Sequence, residues 1–115
     1  MNHLTLGAWG EQLACLYLKK KGYILLFKNW RWKKAEIDII AFHDNFIVII
    51  EVKTRSYDLF GSPSSAINLK KEEKIREGAL SFLENYELDY ELKFEVISVL
   101  GNEKNYQLEH IENAF

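Results

Sequence analysis

One stretch constrains the fold of this chain more than any other: Glu36 to Arg55, EIDIIAFHDNFIVIIEVKTR. Its apolar residues recur in steps of two, the period of a strand rather than a helix. Glu36, Asp38, Ile40 and Phe42 share one face, and Ile37, Ile39, Ala41 and His43 the other. After Asp44-Asn45 the alternation resumes. Ile47, Ile49, Glu51 and Lys53 then share one face, with Phe46, Val48, Ile50 and Val52 behind them. Asp and Asn both tolerate positive φ, so a two-residue hairpin turn fits between the strands. That turn pairs His43 with Phe46. Counting outwards sets Asp38 opposite Glu51, and Glu36 opposite Lys53.

Side chains directly opposed across two strands have Cβ atoms about 4.5–5.5 Å apart. Two carboxylates at that spacing repel each other. A bound cation, a shared proton or the Lys53 ammonium would compensate. An all-oxygen ligand set suits Mg²⁺ or Mn²⁺ rather than Zn²⁺. The plainer alternative is a cross-strand salt bridge from Glu36 to Lys53, with the remaining acids solvated.

At 115 residues the chain makes one domain, residues 1–115, with room for a hydrophobic core. Its uninterrupted apolar runs, Phe46 to Ile50 among them, are far too short to cross a membrane. The lone Cys15 excludes an internal disulfide. With no signal-peptide pattern at the N-terminus, a reducing cytoplasm is the expected location. The pattern leaves the oligomeric state, a homodimer included, open.

A net charge of -2 argues against a generic polyanion binder, yet the charge is unevenly spread. Lys19 to Lys34 holds seven basic residues and no acid. Glu84 to Phe115 holds eight acids against Lys93 and Lys104. Such asymmetry can orient a protein on a nucleic acid, or can simply be a solvated basic face.

In chain order, a first helix is expected from Thr5 to Lys21, capped by Thr5 and ended by Gly22. Leu6, Trp9, Leu13, Leu16 and Tyr17 form its broad apolar face. Glu11 interrupts a second stripe of Leu4, Ala8, Cys15 and Leu18, so it should meet a cation or a donor. Gly7, Gly10 and Ala14 would let this helix approach another backbone closely. Tyr23 to Phe27 reads as a strand and runs into Asn29-Trp30-Arg31-Trp32-Lys33-Lys34. That mixture can stack on bases and neutralise phosphates, although Trp30 is better read as core.

Beyond Arg55 lies a polar, turn-rich connection, Ser56 to Ser65, whose hydroxyls could reach a sugar–phosphate backbone. A second helix follows from Lys70 to Tyr86, capped by Asn68. Ile75, Ala79, Phe82, Leu83 and Tyr86 make its buried face, and Lys71 falls on the side of the carboxylates. Leu92 to Leu100, a turn at Gly101-Asn102 and Tyr106 to Ile111 supply the last two strands. The order α-β-β-β-α-β-β gives a mixed sheet flanked by helices, hence an α/β fold.

Several spaced segments resemble one family. They are GEQLA (Gly10 to Ala14), NWRWKKAEIDII (Asn29 to Ile40), FIVIIEVKTR (Phe46 to Arg55), FGSPSSAI (Phe60 to Ile67), LKKEEKI (Leu69 to Ile75) and HIENAF (His110 to Phe115). Together they resemble the YraN family of small bacterial proteins and, beyond it, the archaeal Holliday-junction resolvases. Both sit in the restriction-endonuclease-like, PD-(D/E)xK nuclease superfamily. The chain departs from the pattern at Ile37 (proline in the superfamily's name), Ala35 (usually glycine), Glu72 (often glutamine) and Glu95 (usually aspartate).

The resemblance implies a restriction-endonuclease-like fold with Asp38 and Glu51 as metal-binding acids. It implies Lys53 as the motif lysine, and Glu11 as a helix acid completing the site directly or through water. The activity implied is Mg²⁺- or Mn²⁺-dependent endonucleolytic hydrolysis of DNA, including branched or repair intermediates, leaving a 5′-phosphate. Arg31, Trp32, Lys33, Lys34, Arg55, Lys71 and Lys74 are the expected DNA contacts. Two rival expectations are a DNA-binding module with a vestigial nuclease site, and an assembly protein whose acids serve stability alone.

Overall fold

A computed structural model describes residues 4–57 and 69–115. The elements are α1 (Leu6–Lys20), β1 (Ile24–Trp32), β2 (Ala35–His43), β3 (Phe46–Arg55), α2 (Leu69–Asn85), β4 (Glu91–Asn102) and β5 (Asn105–Ile111). Their order is the one expected. The strands form one sheet in the order β1-β2-β3-β4-β5. Only β3 and β4 run parallel, and the crossover between them carries α2.

Each face of the sheet carries one helix and its own core. Ile39, Ala41, Val48, Ile50, Ile97 and Val99 pack beneath Trp9, Ala14 and Leu18 of α1. Ile37, Ile40, Ile47, Ile49 and Phe94 pack beneath Ile75, Ala79 and Phe82 of α2. Among the described residues no helix is long and apolar enough to cross a membrane.

Thr5 caps α1 by accepting the Ala8 N–H at 3.1 Å. Gly22, at φ 92, stops the helix while its N–H and that of Tyr23 satisfy the last carbonyls. The buried face of α1 is rotated from the one expected. Leu6 is 40% and Leu16 53% exposed, whereas Gly10, Ala14 and Leu18 face the sheet. The small residues decide the rotation. A Cβ at Gly10 would overlap Thr54 Oγ1, so the helix seats its narrowest stripe against β3. A Cβ at Gly7 would meet nothing within 4 Å, so Gly7 plays no such part.

The β2–β3 hairpin has the expected register, from His43↔Phe46 to Ile39↔Ile50. Asp44 and Asn45 both take positive φ, 52° and 66°. The alternation of β2, however, breaks at Asp38. Ile39 faces α1, yet Ile37 joins Ile40 on the α2 side. On β1 the pairs Lys28↔Ile39 and Trp30↔Ile37 bracket Asn29, whose φ is 51°. A left-handed residue on one strand opposite a kink on the other re-aims both chains.

Strand β1 is longer than expected and absorbs the Asn29–Trp32 segment. Trp30 packs edge-on against Phe82 at 5.5 Å, as core. Tyr86, expected in the buried face of α2, is 49% exposed, and Gly78 takes a buried place instead. The Asn68 cap and most of the Ser56–Ser65 connection lie outside the described residues. The β4–β5 turn falls at Glu103-Lys104, not at Gly101-Asn102. Asn102 Oδ1 accepts the Lys104 and Asn105 N–H groups at 2.9 and 3.0 Å, which carries β4 two residues further.

Candidate metal and nucleic-acid site

The regular β2–β3 ladder ends at Ile39↔Ile50. At the next position the side chains take over its bonds. The Val52 N–H donates to Asp38 Oδ2 at 2.8 Å, and the Asp38 N–H donates to Glu51 Oε2 at 3.3 Å. Each carboxylate thus caps the other strand where the two diverge. This brings Asp38 and Glu51 together as the register implies, by side-chain bonds rather than by ladder pairing.

Divergence also removes the Glu36–Lys53 pair. Glu36 lies instead on Arg31, at 2.9 Å across β1 and β2. Lys53 stays with β3, and its pKa is lowered by burial first, then by Lys71 and Arg55. The salt-bridge alternative is therefore corrected: no such pair exists.

Glu51 is 5% exposed. Burial is the main cause pushing its carboxyl up, to about 7, with the charge of Asp38 adding to it. Asp38 is raised to about 6, again by burial first. The Val52 N–H opposes that rise, and the charges of Glu11 and Glu36 reinforce it. Lys71 Nζ stands 3.7 Å from Glu51 Oε1, but its side chain is 61% exposed. Solvent screens so exposed an ammonium, and it does not cancel the penalty.

Glu11 projects from α1. Its Oε1 is buried and has no hydrogen-bond partner, against the expectation that it meets a cation or donor. An uncompensated buried oxygen beside a repelling carboxylate pair is what a hard cation would relieve. The residues thus fit Mg²⁺ or Mn²⁺ in chemistry. As they stand, no three His, Cys, Asp or Glu side chains among the described residues converge tightly enough to hold an ion. Asp38 and Glu51 form the pair, and Glu11 stands behind it.

An open cleft of about 510 Å³ lies over the pair, flanked by Lys34, Lys70, Lys71 and Lys74. Lys34, Lys71 and Lys74 were expected contacts. Lys70 was not, although its place beside Lys71 in the first turn of α2 was a usable signal. Trp32 and Lys33 line an adjoining recess. Arg31 is committed to Glu36, and Arg55 donates to the Thr54 carbonyl at 2.9 Å. Neither lines the cleft.

Sequence reasoning missed a second buried polar group. Glu95, 1% exposed, accepts the Tyr23 hydroxyl at 2.9 Å and lies 2.7 Å from His110 Nε2. His110 Nδ1 in turn meets the Tyr17 hydroxyl at 3.1 Å, and Tyr23 stacks on His43 at 3.9 Å. The group ties α1 and the start of β1 to the edge strand β5. A glutamate inside the apolar run of β4 was the only hint of it.

Fold and site define a small α/β protein with a buried Glu51 and a half-buried Asp38 paired at a lysine-lined cleft. The family model described as "Uncharacterised protein family UPF0102" matches residues 10–99. The chain is 49% identical to a UPF0102 protein of Alkaliphilus oremlandii, covering 96% of this chain and 97% of that one. It is 47% identical to one of Thermodesulfovibrio yellowstonii over 100% and 99%. With one of Flavobacterium psychrophilum it shares 42% identity over 98% and 95%. The chain belongs to the UPF0102 family, the YraN family that its motifs resemble.

Proposed function

We propose that this protein is a divalent-metal-dependent endonuclease acting on DNA. The observation that carries the reading is the Asp38–Glu51 pair, a buried carboxyl beside a half-buried one, mutually repelling and lining a cleft with four lysines. A pair held only for stability gains nothing from raised carboxyl pKa values. A pair that holds a cation accepts that cost without ligand and recovers it on binding.

Asp38 and Glu51 would hold the ion, with Glu11 adding negative charge behind them. A divalent ion there supplies Lewis acidity at the scissile phosphate. Lys53, on the same strand face as Glu51, orients the attacking water or neutralises charge building on phosphate oxygens. Lys34, Lys71 and Lys74 hold the flanking phosphates of the strand.

Metal-dependent stabilisation tests the reading. Binding to the native state alone adds about 2.7 kcal/mol at a hundred times the dissociation constant. Mg²⁺ or Mn²⁺ should therefore raise the melting temperature of the wild type and leave that of Asp38→Asn nearly unmoved. An equal response in both proteins removes the site from the account.

A further inference from the structure

Beside the carboxylate cleft lies a second recess of about 270 Å³, lined by Trp32, Lys33, Lys34, Ala35, Lys74 and Glu77. Lys34, Ala35 and Lys74 line both hollows, so the two are neighbours. Both are lined by lysines, and what sets the recess apart is the Trp32 indole, with Glu77 as its one acidic residue. Glu77 repels a phosphate but accepts from an amino group.

We propose that this recess takes one unpaired nucleobase, so that the preferred substrate is DNA with a single-stranded stretch beside the phosphate held in the cleft. The proposal rests on the nuclease reading and names its substrate class. Trp32 supplies the stacking surface. Lys33 Nζ now lies over its ring, 4.5 Å from the centroid. Base–aromatic stacking outweighs an exposed cation–π contact, and a flexible lysine gives way at little cost. The displaced ammonium moves onto the neighbouring phosphate.

Size and charge agree with this occupant. At about 270 Å³ the recess is large enough for a single purine. Lys34 and Lys74, shared by both hollows, bridge a base in one to its own phosphate in the other. Glu77 accepts from an exocyclic amino group, which favours adenine, cytosine or guanine over thymine. Trp30, by contrast, is engaged with Phe82 and offers no such surface.

The test compares a fully paired duplex with the same duplex carrying a short single-stranded gap, in Ca²⁺ to suppress cleavage. Affinity is read by fluorescence anisotropy. Wild type should bind the gapped DNA about tenfold more tightly, the scale of one stacked base. Trp32→Ala should bring the gapped-to-paired ratio to near one, and Trp32→Phe should restore most of it. Abasic sites across the gap should lower wild-type affinity without further lowering that of Trp32→Ala.

Should Trp32→Ala not fold, Glu77→Leu, which has no acceptor, keeps the test alive by erasing the preference for amino-bearing bases. Equal wild-type affinity for both DNAs overturns the base recess but leaves the nuclease reading standing. So does a gap preference that survives in Trp32→Ala. Failure to bind either DNA at low salt overturns both.

Discussion

At the residue scale, Asp38 and Glu51 make the protein's stability depend on pH. Both folded pKa values are raised, to about 6 and about 7. Between an ordinary carboxyl pKa near 4 and those values, the unfolded chain has lost protons that the folded chain still holds. Stability without metal should therefore fall as pH rises from about 4 to about 7, by an amount on the order of a few kcal/mol. Above that range the penalty is constant. Urea denaturation in EDTA at a series of pH values measures it, and Asp38→Asn should flatten the profile. A wild-type profile no steeper than the variant's would mean that the pair is not strained. Glu11→Gln follows the same logic. Removing the negative charge of Glu11 should raise metal-free stability and weaken metal binding. A loss of stability would show that Glu11 has a structural partner. The two acids and their register were legible because strand periodicity and the Asp-Asn turn leave one way to pair the hairpin. Their side-chain bonds to the opposite backbone were not, because the split of the strands depends on the kink at Asp38. The same split took Glu36 from Lys53 and gave it to Arg31. Lys53 is thereby freed from the cross-strand salt bridge the sequence offered it. Lys53→Ala should lower the cleavage rate by about 10²–10³ with little change in stability. A stability loss with cleavage intact would reverse that assignment.

At the scale of elements, the seat of α1 on β3 decides where Glu11 goes. Gly10 lies against Thr54 with no room for a Cβ, while Gly7 faces open space. Gly10→Ala should then cost about 1–3 kcal/mol through overpacking. Gly7→Ala should gain up to about 1 kcal/mol from helix propensity alone. Parallel urea titrations compare the two, and equal effects would contradict the close approach. Helix existence, caps and the Gly22 stop could be read from the chain, since each depends on neighbours within a turn. Rotation of α1 could not. Two overlapping apolar stripes were present, and the choice between them rests on Thr54, far off in sequence. Asn29 can take the left-handed conformation seen in β1 beside Asp38, but that tolerance alone does not single it out among the asparagines.

For the whole molecule, topology and charge act together. The parallel β3–β4 pair requires a crossover, and α2 in that crossover sets its lysines over the carboxylates. The order of elements made this arrangement legible, whereas the buried Glu95–His110 group, which draws in Tyr23 and Tyr17 from 72 and 93 positions away, was not. Of the basic residues read from the sequence, those lining the cleft should carry DNA affinity. Replacing Lys34 and Lys74 by Gln should lower the log–log salt slope by at most about 1.8. Replacing Arg31 and Arg55, already paired within the fold, should change it less, and the reverse order would misplace the DNA. Hydrolysis at the Asp38–Glu51 pair, as proposed, can be read on a panel of labelled single-stranded, gapped, duplex, flap and four-way DNAs incubated with Mg²⁺ or Mn²⁺. The wild type should cleave at least one of them, only with metal, leaving a 5′-phosphate, and Asp38→Asn should cleave none. No cleavage of any DNA by the wild type, or equal cleavage by Asp38→Asn, would contradict it.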